Sequence, residues 1–166
     1  YTSDCILKNP GLLDNFGEMY TEMYRQKGMT ESIPREGILR YCQYNGVILT
    51  AAFLEEVPVV YHAYIVDGKY ACLWMSCSVF RNNDDTKVRA VIGRANKRLH
   101  YEDMLCLQKQ GYQTYDWGGI TSFEEPNGID TFKISFGGKK TKYYYETCIY
   151  SLPHKILKKI KDFLHR

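Results

Sequence analysis

Lys133 stands between Phe132 and Phe136 in a short helical stretch, Ile129–Phe136, that the glycine pair Gly137-Gly138 closes. A lysine fixed among aromatic rings can supply a cation to negative charge that develops on a substrate oxygen, provided the site is partly dry. The other reading is a solvated lysine on an amphipathic turn. A second pair, Gly118-Gly119, directly follows the β-rich run Gln113–Trp117. Lacking a Cβ, it lets a ligand approach backbone amides at a strand end, where ligands gather in mixed sheets. The alternative is a tight strand-to-loop turn that binds nothing. Asp116 beside it serves either the amides of that same turn or acid-base chemistry. Of the four histidines, His62 and His100 are the candidates for moving a proton, because imidazole titrates near neutrality. His62 alternates with Val60, Tyr64 and Val66 and so faces either a cleft or a neighbouring strand; His100 sits in a long helical stretch. No Cys/His set has zinc spacing, so no metal is expected.

Several elements must position these groups. Leu12, Leu13, Phe16, Met19, Tyr20 and Met23 recur at helical spacing before Gly28, which predicts an amphipathic helix over 12–27. Pro34 opens a second helix through about Gln43. Three β-rich runs follow, Val47–Leu54, Val59–Val66 and Tyr70–Val79, with turn residues at Glu55–Pro58 and Asp67–Lys69. They predict an antiparallel meander. After the capping cluster at 81–85, a long helix runs to Gln110 and stops at Gly111. Gly93 interrupts it, so either the helix starts nearer Ala95 or something approaches closely at Gly93. Then come the run Gln113–Trp117, the Ile129–Phe136 helix, a strand Lys142–Tyr150 and a basic amphipathic helix from Pro153. The order predicts an α/β (α+β) fold: a mixed sheet with an antiparallel meander, a crossover helix and flanking helices. The crossover makes the third and fourth strands parallel neighbours.

At 166 residues, 45% apolar and 25% charged, the chain is expected to fold as a single domain over residues 1–166 and has no run long enough to span a membrane. Its six cysteines fall mostly in apolar or alternating runs; they read as reduced structural thiols and place the protein in the cytoplasm. Residues 133–166 carry a net charge of +7 and the first 132 residues −4. That basic end suits phosphates of a nucleotide, coenzyme A, RNA or lipid, or is simply a solvated helix face with a lysine-rich turn. Tyr143-Tyr144-Tyr145 serve either base stacking or sheet packing.

The string Ala95-Asn96, Leu99-His100, Gly111-Tyr112, Tyr115-Asp116-Trp117-Gly118-Gly119-Ile120, then Gly128-Ile129, Phe132-Lys133 and Phe136-Gly137-Gly138, resembles the signature of FemAB-like peptidoglycan aminoacyltransferases. Only Trp117 departs, where that family has phenylalanine. The resemblance implies a GNAT-like N-acyltransferase domain with no tightly bound cofactor, whose donor is aminoacyl-tRNA and whose acceptor is an amine of a cell-wall or glycan precursor. It supports a catalytic role for Lys133; by residue type His100 or His62 relays the amine's proton, the alternative being substrate-assisted removal with no protein base. It also sets Gly118, Gly119, Phe132, Lys133 and Phe136 at the donor, near the tRNA acceptor end. Such enzymes generally contain two such domains, so this chain, which starts at Tyr1, is expected to be one half of a longer protein whose N-terminal domain grips the acceptor. Acetyl-CoA enzymes of the wider superfamily hold pyrophosphate on an arginine- and glycine-rich loop before a helix. The nearest string here, Arg89 to Gly93-Arg94-Ala95, has one residue too many but makes Arg94 a donor-binding candidate. An acyl-CoA or acyl-carrier donor is therefore the alternative, and a non-catalytic binding module a third reading.

Overall fold

The computed structural model describes residues 1–82 and 84–144. Apart from residues 142–144, which carry no strand, the expected last strand lies outside them, as does the expected C-terminal helix. The chain divides into two compact units, Tyr1–Thr121 and Ser122–Arg166.

The first unit begins with a short helix, α1 (Ser3–Lys8), that sequence periodicity did not anticipate. Its six residues are too few to show a period; it is held by the Thr2 cap and by Ser3, whose hydroxyl donates to the carbonyl of Val47 at 2.7 Å. Helix α2 (Leu12–Arg25) buries Leu13 and Phe16, and α3 (Arg35–Cys42), entered from Pro34, buries Ile38 and Cys42. Three antiparallel strands follow, β1 (Val47–Leu54), β2 (Val57–Asp67) and β3 (Tyr70–Ser78). Helix α4 (Thr86–Lys109) then crosses over to β4 (Thr114–Asp116), which pairs parallel with β3 to complete the order β1-β2-β3-β4. The meander, the crossover and the parallel third and fourth strands are as the sequence predicts.

Both faces of the sheet are covered. Helices α1, α2 and α3 pack Ile6, Phe16 and Ile38 against Val47, Leu49, Tyr61, Ala63, Met75 and Cys77. On the other face α4 sets Ile92 against Val59 and Val60, and Leu107 against Ile48, Tyr64, Val66 and Ala71. Strand β3 changes face on the way. Ala63 opposes Met75 but Tyr64 opposes Leu73, so Trp74 is an extra residue, a β-bulge. Ala71 and Leu73 therefore face α4, whereas Met75 and Cys77, at the same sequence parity, face the other helices.

Gly93 neither delays α4 nor admits a close neighbour: the helix runs straight through it, and an added Cβ would meet only Phe80, at an ordinary 3.8 Å. The second unit, described over residues 122–144, centres on helix α5 (Gly128–Ile134). Asn127 and Asp130 form a reciprocal capping box, and buried Asp130 also accepts the amide of Ser122 at 3.3 Å, closing the loop that leads into the helix.

Candidate functional site

The inward stripe of α4 is Ile92, Asn96, His100, Asp103 and Leu107, successive positions three or four residues apart. Its ends are apolar and its middle is polar. Those polar groups meet His62 and Tyr64, which point to the same face of β2, and Tyr115 from β4. Asp103 Oδ2 receives three contacts, from Tyr64 OH at 2.6 Å, His62 Nδ1 at 2.8 Å and Thr50 Oγ1 at 3.1 Å. The other nitrogen of His62 lies 2.9 Å from Asn96 Oδ1. Tyr64 OH and Tyr115 OH are 3.0 Å apart, and Tyr115 OH is 2.9 Å from His100 Nδ1. The two imidazoles are stacked, with centroids 3.8 Å apart and planes inclined by 21°. Trp117 leans on His100 at 4.7 Å and on Tyr115 at 4.9 Å, ring centre to ring centre.

His62 is fully buried and His100 and Asp103 are each 3% exposed, so the cluster is a polar island inside the domain. It persists there because its members satisfy one another. Burial pushes the Tyr64 phenol far above its usual range, with Tyr115 and Asp103 adding to the effect. Tyr115 is raised by the same burial. Both phenols hold their protons through neutral pH. Ligand atoms of His62, His100 and Asp103 lie within 4.8 Å of one another, close enough to suggest a shared divalent ion. The ring stack argues otherwise: nearly parallel rings 3.8 Å apart cannot both aim an in-plane lone pair at one ion about 2 Å away.

The network reaches toward the open end of the sheet. Strands β3 and β4 are paired only from Tyr70↔Thr114 to Cys72↔Asp116, after which β3 continues to Ser78 while the chain beyond β4 turns off at Gly118. Gly118 has φ +70°, and a Cβ there would come within 3.3 Å of the Leu73 carbonyl oxygen. That combination requires glycine. The bulge at Trp74 and the Gly118-Gly119 pair both lie where the two parallel strands stop pairing, the end of a mixed sheet at which ligands gather. Asp116 accepts the Gly118 amide at 2.8 Å, so its carboxylate serves the turn itself.

The sequence-derived candidates thus separate. His62 and His100, which the sequence leaves unconnected, are stacked partners, and both are buried. Gly118 and Gly119 stand at the strand end as expected. Phe132, Lys133 and Phe136 belong to the second unit, where all three are half-buried and the two rings lie 5.3 Å apart. Arg94 is corrected. The string Arg89–Ala95 lies inside α4, with its amides committed to helix bonds, and Arg94 is exposed on the solvent side; no phosphate loop forms there. The sequence reading missed Asp103 altogether, although a carboxylate on an otherwise inward helical stripe, at Ile92 plus eleven, was a usable signal.

No family model matches the chain, and no curated protein matches it. Among solved structures it is similar to the PaiA N-acetyltransferase of Thermoplasma acidophilum, solved in complex with coenzyme A. The TM-score is 0.54 at 13% identity, over 78% of this chain and 84% of that one. The two proteins share a fold. The GNAT-like mixed sheet expected from the motifs is thus the architecture observed, with the meander, the crossover helix and the helices on both faces in place. Among the described residues, no helix is long and apolar enough to cross a membrane.

Proposed function

We propose that the chain is an N-acyltransferase, moving an acyl group from an activated thioester or ester to an amine. One observation carries this reading: β3 and β4 part beside a buried proton network, in a fold shared with an N-acetyltransferase solved with coenzyme A. The edge of β3 beyond Cys72 offers backbone groups to an extended donor, as the amides of a pantetheine arm are. In the reaction the amine nitrogen attacks the acyl carbonyl carbon and a C–N bond forms, while negative charge collects on the carbonyl oxygen. The C–S or C–O bond then breaks, the leaving atom takes up a proton, and the nitrogen gives one up. Within the second unit, Lys133 beside Phe132 and Phe136 is the candidate cation for an oxyanion. The Gly118-Gly119 amides meet the donor at the strand end. The proton from the amine passes to the network that Tyr115 and His100 form.

The motifs between Ala95 and Gly138 favour a finer reading, with aminoacyl-tRNA as the donor and an amine of a cell-wall or glycan precursor as the acceptor. A feature of α4 supports it. The helix starts behind Asp84 and Asp85, and the Asp85 carboxylate takes the Lys87 amide at 2.7 Å. Negative charge therefore occupies the helix end at which a pyrophosphate would otherwise be held. The test is to incubate the protein with charged tRNA and, separately, with acetyl-CoA, and to follow acyl transfer to a generic amine. Transfer from tRNA alone establishes the finer reading, transfer from acetyl-CoA alone removes it, and absence of transfer from both overturns the enzyme reading. An RNA donor also makes binding fall steeply with salt, more so than a buried pantetheine arm.

A further inference from the structure

Counting protons in the buried network fixes more than its distances do. An ionised carboxylate only accepts, so at 2.6 Å Tyr64 must donate its single hydroxyl proton to Asp103 Oδ2. With that proton spent, the 3.0 Å contact between the two phenols can be a hydrogen bond only if Tyr115 donates to Tyr64. Tyr115 then has no proton left for His100. The 2.9 Å contact from His100 Nδ1 to Tyr115 OH is therefore donated by the imidazole. The chain of donors runs one way: His100 Nδ1–H to Tyr115, Tyr115 to Tyr64, Tyr64 to Asp103. The same carboxylate requires a proton on His62 Nδ1 at 2.8 Å, and Nε2 meets the side-chain amide of Asn96 at 2.9 Å.

We propose that Asp103 is the positioning residue of this site: by taking the Tyr64 proton it sets the direction of the whole chain and commits His100 to the Nδ1–H tautomer, with Nε2 as its basic nitrogen. This rests on the reading of the site as one that removes a proton from an amine. The proton balance closes. A proton arriving at His100 Nε2 allows Nδ1 to pass its own proton to Tyr115, Tyr115 to pass one to Tyr64, and Tyr64 to pass one to Asp103. Each member ends with as many protons as it began with, except the carboxylate, which gains one. Among the described groups that face the stacked pair are Asp103 and Asn96 from α4, Tyr64 from β2, Thr50 from β1, and Tyr115 and Trp117 from the end of the sheet.

The test reads tautomers directly, by long-range nitrogen–proton correlation spectra of the full chain with labelled histidine. In the wild type His100 and His62 are both expected to carry a proton on Nδ1. Tyr64→Phe cuts the chain between Tyr115 and Asp103; it should release His100 into a mixture of tautomers while leaving the His62 Nδ1 proton in place. Asp103→Asn should release His62 into a mixture as well. Thr50→Val, which removes a donor to Asp103 outside the chain, should leave His100 unchanged. A wild-type His100 protonated on Nε2 overturns the proposal, as does a folded Tyr64→Phe protein whose His100 signals do not move. In transfer assays Tyr64→Phe should lower kcat at least tenfold with KM nearly constant and shift the pH profile. Tautomers as expected with no transfer from any donor would leave Asp103's role standing and reject the acyltransferase reading instead.

Discussion

Replacing Asp103 with asparagine probes the centre of the polar island with almost no change in shape. All three contacts to the side chain, from Tyr64, His62 and Thr50, converge on one oxygen, Oδ2. An asparagine can keep its carbonyl oxygen at that point and turn its NH2 toward the other, so the number of acceptances survives and only the charge goes. A hydrogen bond to a charged group stabilises by about 1.5–3 kcal/mol and a neutral one by about 0.5–1.5. The loss is then about 1 kcal/mol per contact and about 3 kcal/mol for the three. For a chain of 166 residues that corresponds to a fall in Tm of roughly 6–12 °C. Alanine, which strands all three donors, should cost about 2 kcal/mol more. Thermal unfolding followed by near-ultraviolet circular dichroism measures both. An asparagine variant within about 0.5 kcal/mol of wild type, the range of ordinary surface changes, would refute the picture of an ionised hub.

Lys133→Met should reduce acyl transfer by a factor of about 100 or more, the scale of losing one oxyanion partner, and shift Tm by less than about 2 °C, since the lysine is only half-buried. A transfer assay beside a melting curve checks this, and retained activity removes Lys133 from the chemistry. Gly118→Ala places a Cβ at φ +70° and 3.3 Å from the Leu73 oxygen; it should destabilise by about 1–2 kcal/mol and raise the KM for the donor, read from urea unfolding and initial rates. Alkali should unfold the protein earlier than exposed phenols alone would dictate. Tyr64 and Tyr115 are raised in the fold and Cys77 is pushed up to about 12, so above about pH 9–10 the unfolded state sheds protons that the fold retains. Stability falls as pH rises through that window, and Tyr64→Phe should flatten the fall; tyrosinate absorbance against pH, with circular dichroism, reports it.

The sequence made the scaffold readable where a period was long or a boundary sharp. The first strand begins and ends where its apolar run meets Gly46 and Glu55, and α4 stops just before Gly111, because in both places local chemistry and tertiary packing agree. Helix α1 escaped because one and a half turns show no period, and its support comes from Val47, more than forty residues away. The site was half legible. His62 and His100 stood out by type, but nothing local says that residues 38 apart in sequence stack at 3.8 Å, which is a consequence of how α4 lies on the sheet. Asp103 was hidden by its charge: a lone aspartate in a helix reads as a solvent-facing residue until its place on the Ile92–Leu107 stripe is counted. Asn96 and Tyr115 were in view as motif letters without a role. Conversely Arg89–Ala95 looked like a loop only because glycine is a helix breaker in isolation; inside a 24-residue helix its cost of about 1 kcal/mol is absorbed by packing.

The extra residue at Trp74 divides β3 into two segments with independent alphabets. Up to Leu73, odd-numbered positions answer to α4 and the proton network; from Met75 onward, odd-numbered positions answer to α2 and α3. Deleting Trp74 would therefore not simply shorten a strand. It would set Met75, still opposite Ala63, directly after Leu73, still opposite Tyr64, so that regular alternation keeps Met75 and Cys77 on the face of α2 and α3 while the strand loses its bend. A relative of this protein that had lost that single residue would keep the same core with an unbroken two-residue period, so the change of odd–even phase after Leu73 marks the bulge in sequence alone.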